Sequence, residues 1–249
     1  MSSSGPTTYF VSGANRGIGL GLVSALARRD NVLVFAGARD PSKADALNVL
    51  AKETGRVVVV KLESTSEEDA KAAAEIVKAK VGKLDYLVAN AGICPIEGIL
   101  PAVSTTRALV EEHHQVNTIG PLLLFQAFAP LLFAAPAPQF IAISTTVGSI
   151  SMAQPIPLTA YGMSKAALNF LVSKVATEHG EKDNLASYAI SPGFVQTDLG
   201  NAGAKMFGMG EAPVTLEESV ASTLRIIDGA TREKTGGRFW DYTGEELKW

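Results

Sequence analysis

The chain has 249 residues, 47% apolar and 19% charged, which is enough to bury a sizeable core and excludes a disordered polymer. A net charge of -3 with no Lys/Arg cluster excludes the basic field that nucleic acid requires. One cysteine, Cys94, excludes an intramolecular disulfide, and with no His or second thiol placed beside it the thiol reads as inert in a reducing interior.

The opening MSSSGPTTYF has neither the basic start nor the apolar run of an export signal, so a cytoplasmic protein is expected. Strand-length apolar runs and helical patterns then alternate along the chain. A strand is predicted over 7–12, a glycine turn follows, and GLGLVSALARRD (19–30) reads as an amphipathic helix. Strands at 31–36 and 56–62 flank a helix at 44–55; a helix at 66–82, with Ser66 and Asp69 spaced as a capping box, precedes a strand at 84–90. The uncharged stretch 120–138 is long enough to tempt a membrane span. Pro121, Pro130, Pro136, Pro138 and Gln126 are expected to interrupt it, and no basic flank anchors it, so it reads as a buried helix. Further strands follow at 140–146 and 185–191, with a helix between. Runs such as VVVV do not alternate polar with apolar, which points to strands covered on both faces. The expected architecture is a single-domain (1–249) doubly wound, Rossmann-like α/β sandwich of three layers, with a mainly parallel sheet of about seven strands.

Gly13, Gly17 and Gly19 lie between the first strand and its helix. In that context glycine lets backbone approach a pyrophosphate, and the free N–H groups of the helix start attract it, so dinucleotide binding is expected. The second strand ends in Ala38-Arg39, and Arg16 sits in the glycine turn. Two guanidinium groups and no carboxylate favour a 2′-phosphate, hence NADP(H) over NAD(H).

No charged residue occurs between Glu112 and Lys165. Lys165 then falls one helical turn after Tyr161, placing both on one face. A free phenol titrates at about 10. A neighbouring ammonium in a partly dry site is expected to bring it roughly two or three units toward neutrality, about 3 to 4 kcal/mol, readying it to hand a proton to a carbonyl oxygen.

In SGANRGIG, NAG (90–92), VN ending at Asn117, YGMSK and SPGFVQT, in this order and spacing, the chain resembles the short-chain dehydrogenase/reductase family over almost its whole length. The resemblance implies that Tyr161 is the general acid/base, that Lys165 binds the nicotinamide ribose and depresses the phenol pKa, and that Asn117 holds a water in a proton relay. It implies further that Gly13, Asn15, Arg16, Gly17, Ile18 and Gly19 form the phosphate turn and that Arg39 takes the 2′-phosphate. Leu62 and Glu63 would stand near the adenine; Asn90, Ala91, Gly92, Val195 and Thr197 would line the cofactor, with Pro192 and Gly193 shaping the turn over the nicotinamide. The family's third catalytic residue is a serine; here Thr145, three before Gly148, inherits the role, with Ser144 the alternative. MAQPIPL (152–158) looks like a small insertion.

The tail GGRFWDYTGEELKW narrows the likeness to the C-factor/Sniffer-like branch that includes fungal polyketide ketoreductases. Glycines and exposed-type apolar residues at 199–213 suit a lid or a plain surface loop. His113, His114 and His179 lack ligand spacing, so no metal is expected. The implied activity is NADP(H)-dependent reduction of a small ketone or aldehyde to an alcohol. A non-catalytic NADP(H)-binding regulator is the alternative, while a sugar-nucleotide epimerase would need a further domain for which 249 residues leave little room. Apolar helices near 121–133 and 161–176 predict a homo-oligomer, dimer or tetramer.

Overall fold

The structure is a computed structural model describing residues 5–249; the first four residues of the segment read for an export signal lie outside it. The order is β1 (Thr7–Val11), α1 (Gly17–Leu26), β2 (Val32–Ala38), α2 (Asp45–Thr54), β3 (Val57–Lys61), α3 (Glu67–Val81) and β4 (Tyr86–Ala89). Then come α4 (Arg107–His114), α5 (Gly120–Leu132), β5 (Gln139–Ile143), α6 (Thr159–Asp183) and β6 (Ala186–Ser191). The chain ends with α7 (Asp198–Met206), α8 (Leu216–Gly229), α9 (Arg232–Thr235), β7 (Phe239–Asp241) and β8 (Glu246–Leu247). One sheet runs β3-β2-β1-β4-β5-β6-β7-β8, parallel except for the final β7-β8 pair.

The doubly wound architecture is therefore as expected, with eight strands rather than about seven. Three- and two-residue strands leave no apolar period to read, and pairing with β6 defines them.

Both faces of the sheet are dry. Within β1, Tyr9 and Val11 enter one core with α1, α2 and α8, while Phe10 enters the other with α3, α5 and α6. In β5, Ile141 and Ile143 face the first core, and Phe140 and Ala142 the second. Successive side chains point oppositely, so covering both faces makes every position apolar, which is why these strands do not alternate with polar residues. Phe10, Phe128 and Phe140 are fully buried, each contributing about 2 kcal/mol by transfer from water. Half of the predicted capping box at α3 forms: the Asp69 N–H donates to Ser66 Oγ at 3.0 Å, while the Ser66 N–H donates to the Glu63 carbonyl and the Asp69 carboxylate accepts from the Glu63 N–H.

The uncharged stretch departs from expectation in one respect. A π-helical turn at Gln115–Ile119 joins α4 to α5, giving a continuous helix Arg107–Leu132 that is long and apolar enough by length and composition to cross a membrane. Pro121 and Pro130 do not interrupt it. Pro121 follows closely on the π-helical turn, and Pro130 lies inside α5, where the helix runs on to Leu132 without the bond a residue there would donate to the Gln126 carbonyl. Its apolar face is spent inside the fold, because Leu124, Phe125, Phe128 and Leu132 pack in the second core.

Candidate active site

The chain crosses from β1 to β2 on one side and returns to β4 on the other, so a crevice opens at the carboxyl ends of β1 and β4. Gly13 turns the chain there with φ +63°, and a Cβ on it would lie 2.8 Å from Ala91 Cα. Asn90 ties the loop after β4 to this turn, its Nδ2 donating to the carbonyls of Ser12 (2.9 Å) and Gly13 (3.2 Å). Ser12 Oγ reciprocates, accepting from the N–H groups of Asn90 (3.0 Å) and Ala91 (3.1 Å). A Cβ on Gly19 would strike the Gly13 carbonyl and Asn90 Nδ2, so only glycine lets α1 approach so closely.

Helix α1 starts at Gly17 with Arg16 as N-cap, no side-chain cap bond and no acidic residue in its first turn. Its first N–H groups are left for an anion, as a pyrophosphate needs. Asn15 and Arg16 are exposed beside it, and Ile18 is half-buried. Arg16 lies 3.7 Å from Asp198, both largely solvated. Arg39 is exposed just past the end of β2, next to β1. Leu62 is buried under Gly37, and the Glu63 N–H donates to the Asp69 carboxylate at 2.9 Å. A small-residue cradle, free helix N–H groups and two solvated guanidinium groups fit a dinucleotide carrying a third phosphate.

Opposite this turn, α6 carries Tyr161 and Lys165. Lys165 is 4% exposed, its Nζ donating to the Ile143 carbonyl at 2.9 Å and lying 5.9 Å from the centre of the Tyr161 ring. Asn117 sits in the π-helical turn, whose extra residue per turn re-aims its side chain inward. Its Oδ1 accepts from the Ile93 N–H (2.8 Å), while Nδ2 donates to the Ile93 carbonyl (2.9 Å) and Ser164 Oγ (3.0 Å). A Cβ on Gly92 would lie 3.2 Å from Asn117 Oδ1 and 3.4 Å from Lys165 Nζ. The loop after β4 thus brings Gly92, Asn117 and Lys165 into one place beside the glycine turn.

The expected acid shift of Tyr161 is not what the structure produces. Burial pushes its phenol above the usual tyrosine range, and the thiol of Cys94 adds to the rise. Burial likewise brings Lys165 from its usual 10.5 down to about 8. The reason is the uncharged surroundings: desolvation opposes both ionised forms, and an amine turned to a backbone carbonyl does little for the phenolate. Cys94 is half-buried at the edge of this group, its thiol raised by burial to about 11, in line with an inert thiol.

After β5 the two candidate hydroxyls diverge. Ser144 Oγ is buried and donates to Asn169 Oδ1 at 2.6 Å, while Asn169 Nδ2 donates to the Gly148 carbonyl at 3.1 Å. Thr145 is half-buried, and its Oγ1 accepts from the Val147 N–H at 3.3 Å, keeping its own proton to give. The 146–148 turn rests on α6, where a Cβ on Gly148 would collide with Lys165. Beyond β6, Pro192 is held by Ser219 Oγ on its carbonyl (2.7 Å), and Gly193 turns with φ +87°. Val195 is buried and bridged to Val214, and Thr197 caps α7 while facing Gly17.

The 199–213 segment is helical in its first half and irregular after Met206. It opens with α7, and Gly200 is there because a side chain would collide with the Val195 carbonyl, so that glycine serves packing rather than hinging. Met206, at the end of α7, and Phe207 and Met209 after it are exposed.

The family model described as enoyl-(acyl carrier protein) reductase matches residues 13–220. A short-chain dehydrogenase of Neurospora crassa is 38% identical, with 100% of both chains covered. A norsolorinic acid ketoreductase of Emericella nidulans is 39% identical over 100% of this chain and 95% of its own. The chain belongs to the short-chain dehydrogenase/reductase family of oxidoreductases. Among solved structures, NADPH-bound carbonyl reductase from chicken fatty liver superposes with a TM-score of 0.88, at 34% identity, covering 98% of this chain and 100% of that one. The fungal ketoreductase among these relatives agrees with the narrower likeness carried by the tail.

Two residues in the cluster escaped the sequence reading. Ser164 lies three positions on from Tyr161 and Asn169 four on from Lys165, and a 3.6-residue period would have marked them as buried polar partners. His113 is buried and edge-on to Tyr161, ring centres 6.3 Å apart. Its Nδ1 donates to the Leu109 carbonyl at 2.7 Å, and its Nε2 has no partner among the described residues. Among the described residues no group of His, Cys, Asp and Glu is gathered as metal ligands would be.

Two outcomes follow from this geometry. Gly13→Val, forced into positive φ against Ala91, is expected to lower stability by about 1–3 kcal/mol in urea unfolding; an unchanged midpoint contradicts the close approach. Lys165→Met should be more stable than the parent at pH 7 by about 1–3 kcal/mol. Because the folded pKa of about 8 lies below the unfolded 10.5, the unfolded parent binds the extra proton between those values, and parent stability climbs through that window. The advantage of Met is therefore full below pH 8 and fades toward pH 10.5, and a difference independent of pH would show that the amine is not desolvated.

Proposed function

We propose that this protein is an NADP(H)-dependent carbonyl reductase that converts a ketone or aldehyde to an alcohol. The observation carrying the reading is the buried amine of Lys165 gathered with Tyr161, Asn117 and Gly92 at the mouth of a glycine turn. The named activities of the chicken and Emericella relatives, and the NADPH bound by the former, support it.

When bound, the nicotinamide supplies the hydride to the carbonyl carbon. The chain's residues do the rest. Thr145 Oγ1 gives a hydrogen bond to the carbonyl oxygen and fixes its orientation; Ser144, committed to Asn169, does not. Tyr161 passes its proton to that oxygen as negative charge develops there. At neutral pH the buried phenol holds its proton, which is the form that reduction requires. Lys165 holds the cofactor ribose and, with Asn117 and a water, returns a proton to the phenolate. Arg16 and Arg39 pair with the 2′-phosphate.

The test is NADPH oxidation with a panel of ketones, aldehydes and quinones. Turnover falling by about a thousandfold in Tyr161→Phe is the expected result. Cofactor binding without turnover on any of them would favour the non-catalytic regulator, and equal use of NADH would remove the phosphate role of the arginines. Separately, Thr145→Ser should keep activity and Thr145→Val should lose most of it, while Ser144→Ala stays active; a fully active Val variant reassigns the hydroxyl.

A further inference from the structure

The side chain of Thr145 bonds only within its own turn, through the Val147 N–H. Its place relative to Tyr161 is therefore set by how the 144–148 turn lies on α6. Gly162, Ala166 and Asn169 recur at intervals of four and three residues and so line one face of that helix. A Cβ on Gly162 would come 3.0 Å from the Val147 carbonyl oxygen, and a Cβ on Gly148 would lie 3.0 Å from the Ala166 N and 2.7 Å from Lys165 Cβ. The two glycines let backbone rest on backbone. Contact of this kind has no direction, so it sets how near the turn lies to the helix and not where along it the turn sits.

Asn169 supplies the register. Its Oδ1 accepts at 2.6 Å from Ser144 Oγ, directly before Thr145, and its Nδ2 donates at 3.1 Å to the Gly148 carbonyl at the far end of the turn. Among the described residues it is the one side chain that bonds both ends. Asn169 is 4% exposed and Ser144 3%, so water does not compete and the direction of each bond is enforced. A leucine of similar size would fill the space and bond neither end.

We propose that Asn169 is a positioning residue for the reduction: by gripping the turn at both ends it sets the Thr145 hydroxyl where it and the Tyr161 phenol reach one carbonyl oxygen. The inference rests on the carbonyl-reductase reading above and adds to it a residue that acts only through Thr145. A misplacement of about 1 Å in such a group can cost roughly a hundredfold in rate. Cofactor binding is spared, because Lys165 keeps its own bond to the Ile143 carbonyl.

The experiment measures kcat with NADPH and a ketone that the parent reduces, NADPH affinity and stoichiometry by fluorescence titration, and the urea midpoint. Asn169→Leu is expected to lower kcat by about ten- to a hundredfold with NADPH affinity and stoichiometry unchanged. It should also be less stable than the parent, since Ser144 and Gly148 are left unpaired. Ser144→Ala combined with Asn169→Leu removes one of those orphans and should recover part of the stability and none of the activity. Thr145→Val combined with Asn169→Leu should be no slower than Thr145→Val alone, because two changes that act through one hydroxyl do not add. A fully active Asn169→Leu, activity that returns together with stability when Ser144→Ala is added, or losses that multiply when Thr145→Val is added would each overturn the role of Asn169 and leave the carbonyl-reductase reading standing. No turnover of any ketone or aldehyde by the parent would overturn both.

Discussion

An ammonium group enclosed by uncharged protein is the constraint around which this molecule is arranged. Lys165 is the first charged residue after Glu112, and it is buried. A cation there must be hydrogen-bonded or lose its proton, and it does some of both: its Nζ is tied to the Ile143 carbonyl and its pKa falls to about 8. That bond fixes the carboxyl end of β5 against α6. The turn carrying Thr145 follows immediately, and its Gly148 exists because nothing larger fits against Lys165. The position of the amine and the position of the candidate oxygen-binding hydroxyl are therefore one packing problem.

The other half of the site is built by small residues and backbone. Asn90 and Ser12 cross-link the glycine turn to the loop after β4, and that loop in turn receives both Asn117 side-chain atoms through Ile93. Neutral hydrogen bonds of this kind hold their geometry without adding charge to a region where a cofactor brings its own. The π-helical turn under Asn117 is the one irregularity in the long helix, and it occurs where a polar side chain has to face the crevice. Ser164 completes the arrangement by holding Asn117 from α6, its own hydroxyl donating to the Tyr161 carbonyl at 2.7 Å.

Burial of Tyr161 and of its neighbouring amine pushes their titrations apart, the phenol up and the amine down. The pair is thereby kept as a neutral proton donor beside a weakly held cation.

Apolar periodicity and glycine placement determined the doubly wound fold, because strands covered on both faces need uninterrupted apolar runs and a glycine turn before a helix leaves few alternatives. The spacing of Tyr161 and Lys165 placed them on one helix face by helical geometry alone. Tertiary structure decided what local pattern does not encode. It chose Thr145 over Ser144 as the free hydroxyl, because Asn169, twenty-five residues on from Ser144, occupies the serine. It carried a proline-containing helix unbroken through Arg107–Leu132 and added two short strands at the sheet edge. It also reversed the expected shift of the Tyr161 phenol, since a pKa answers to the water excluded by the whole fold and not to the charge one turn away.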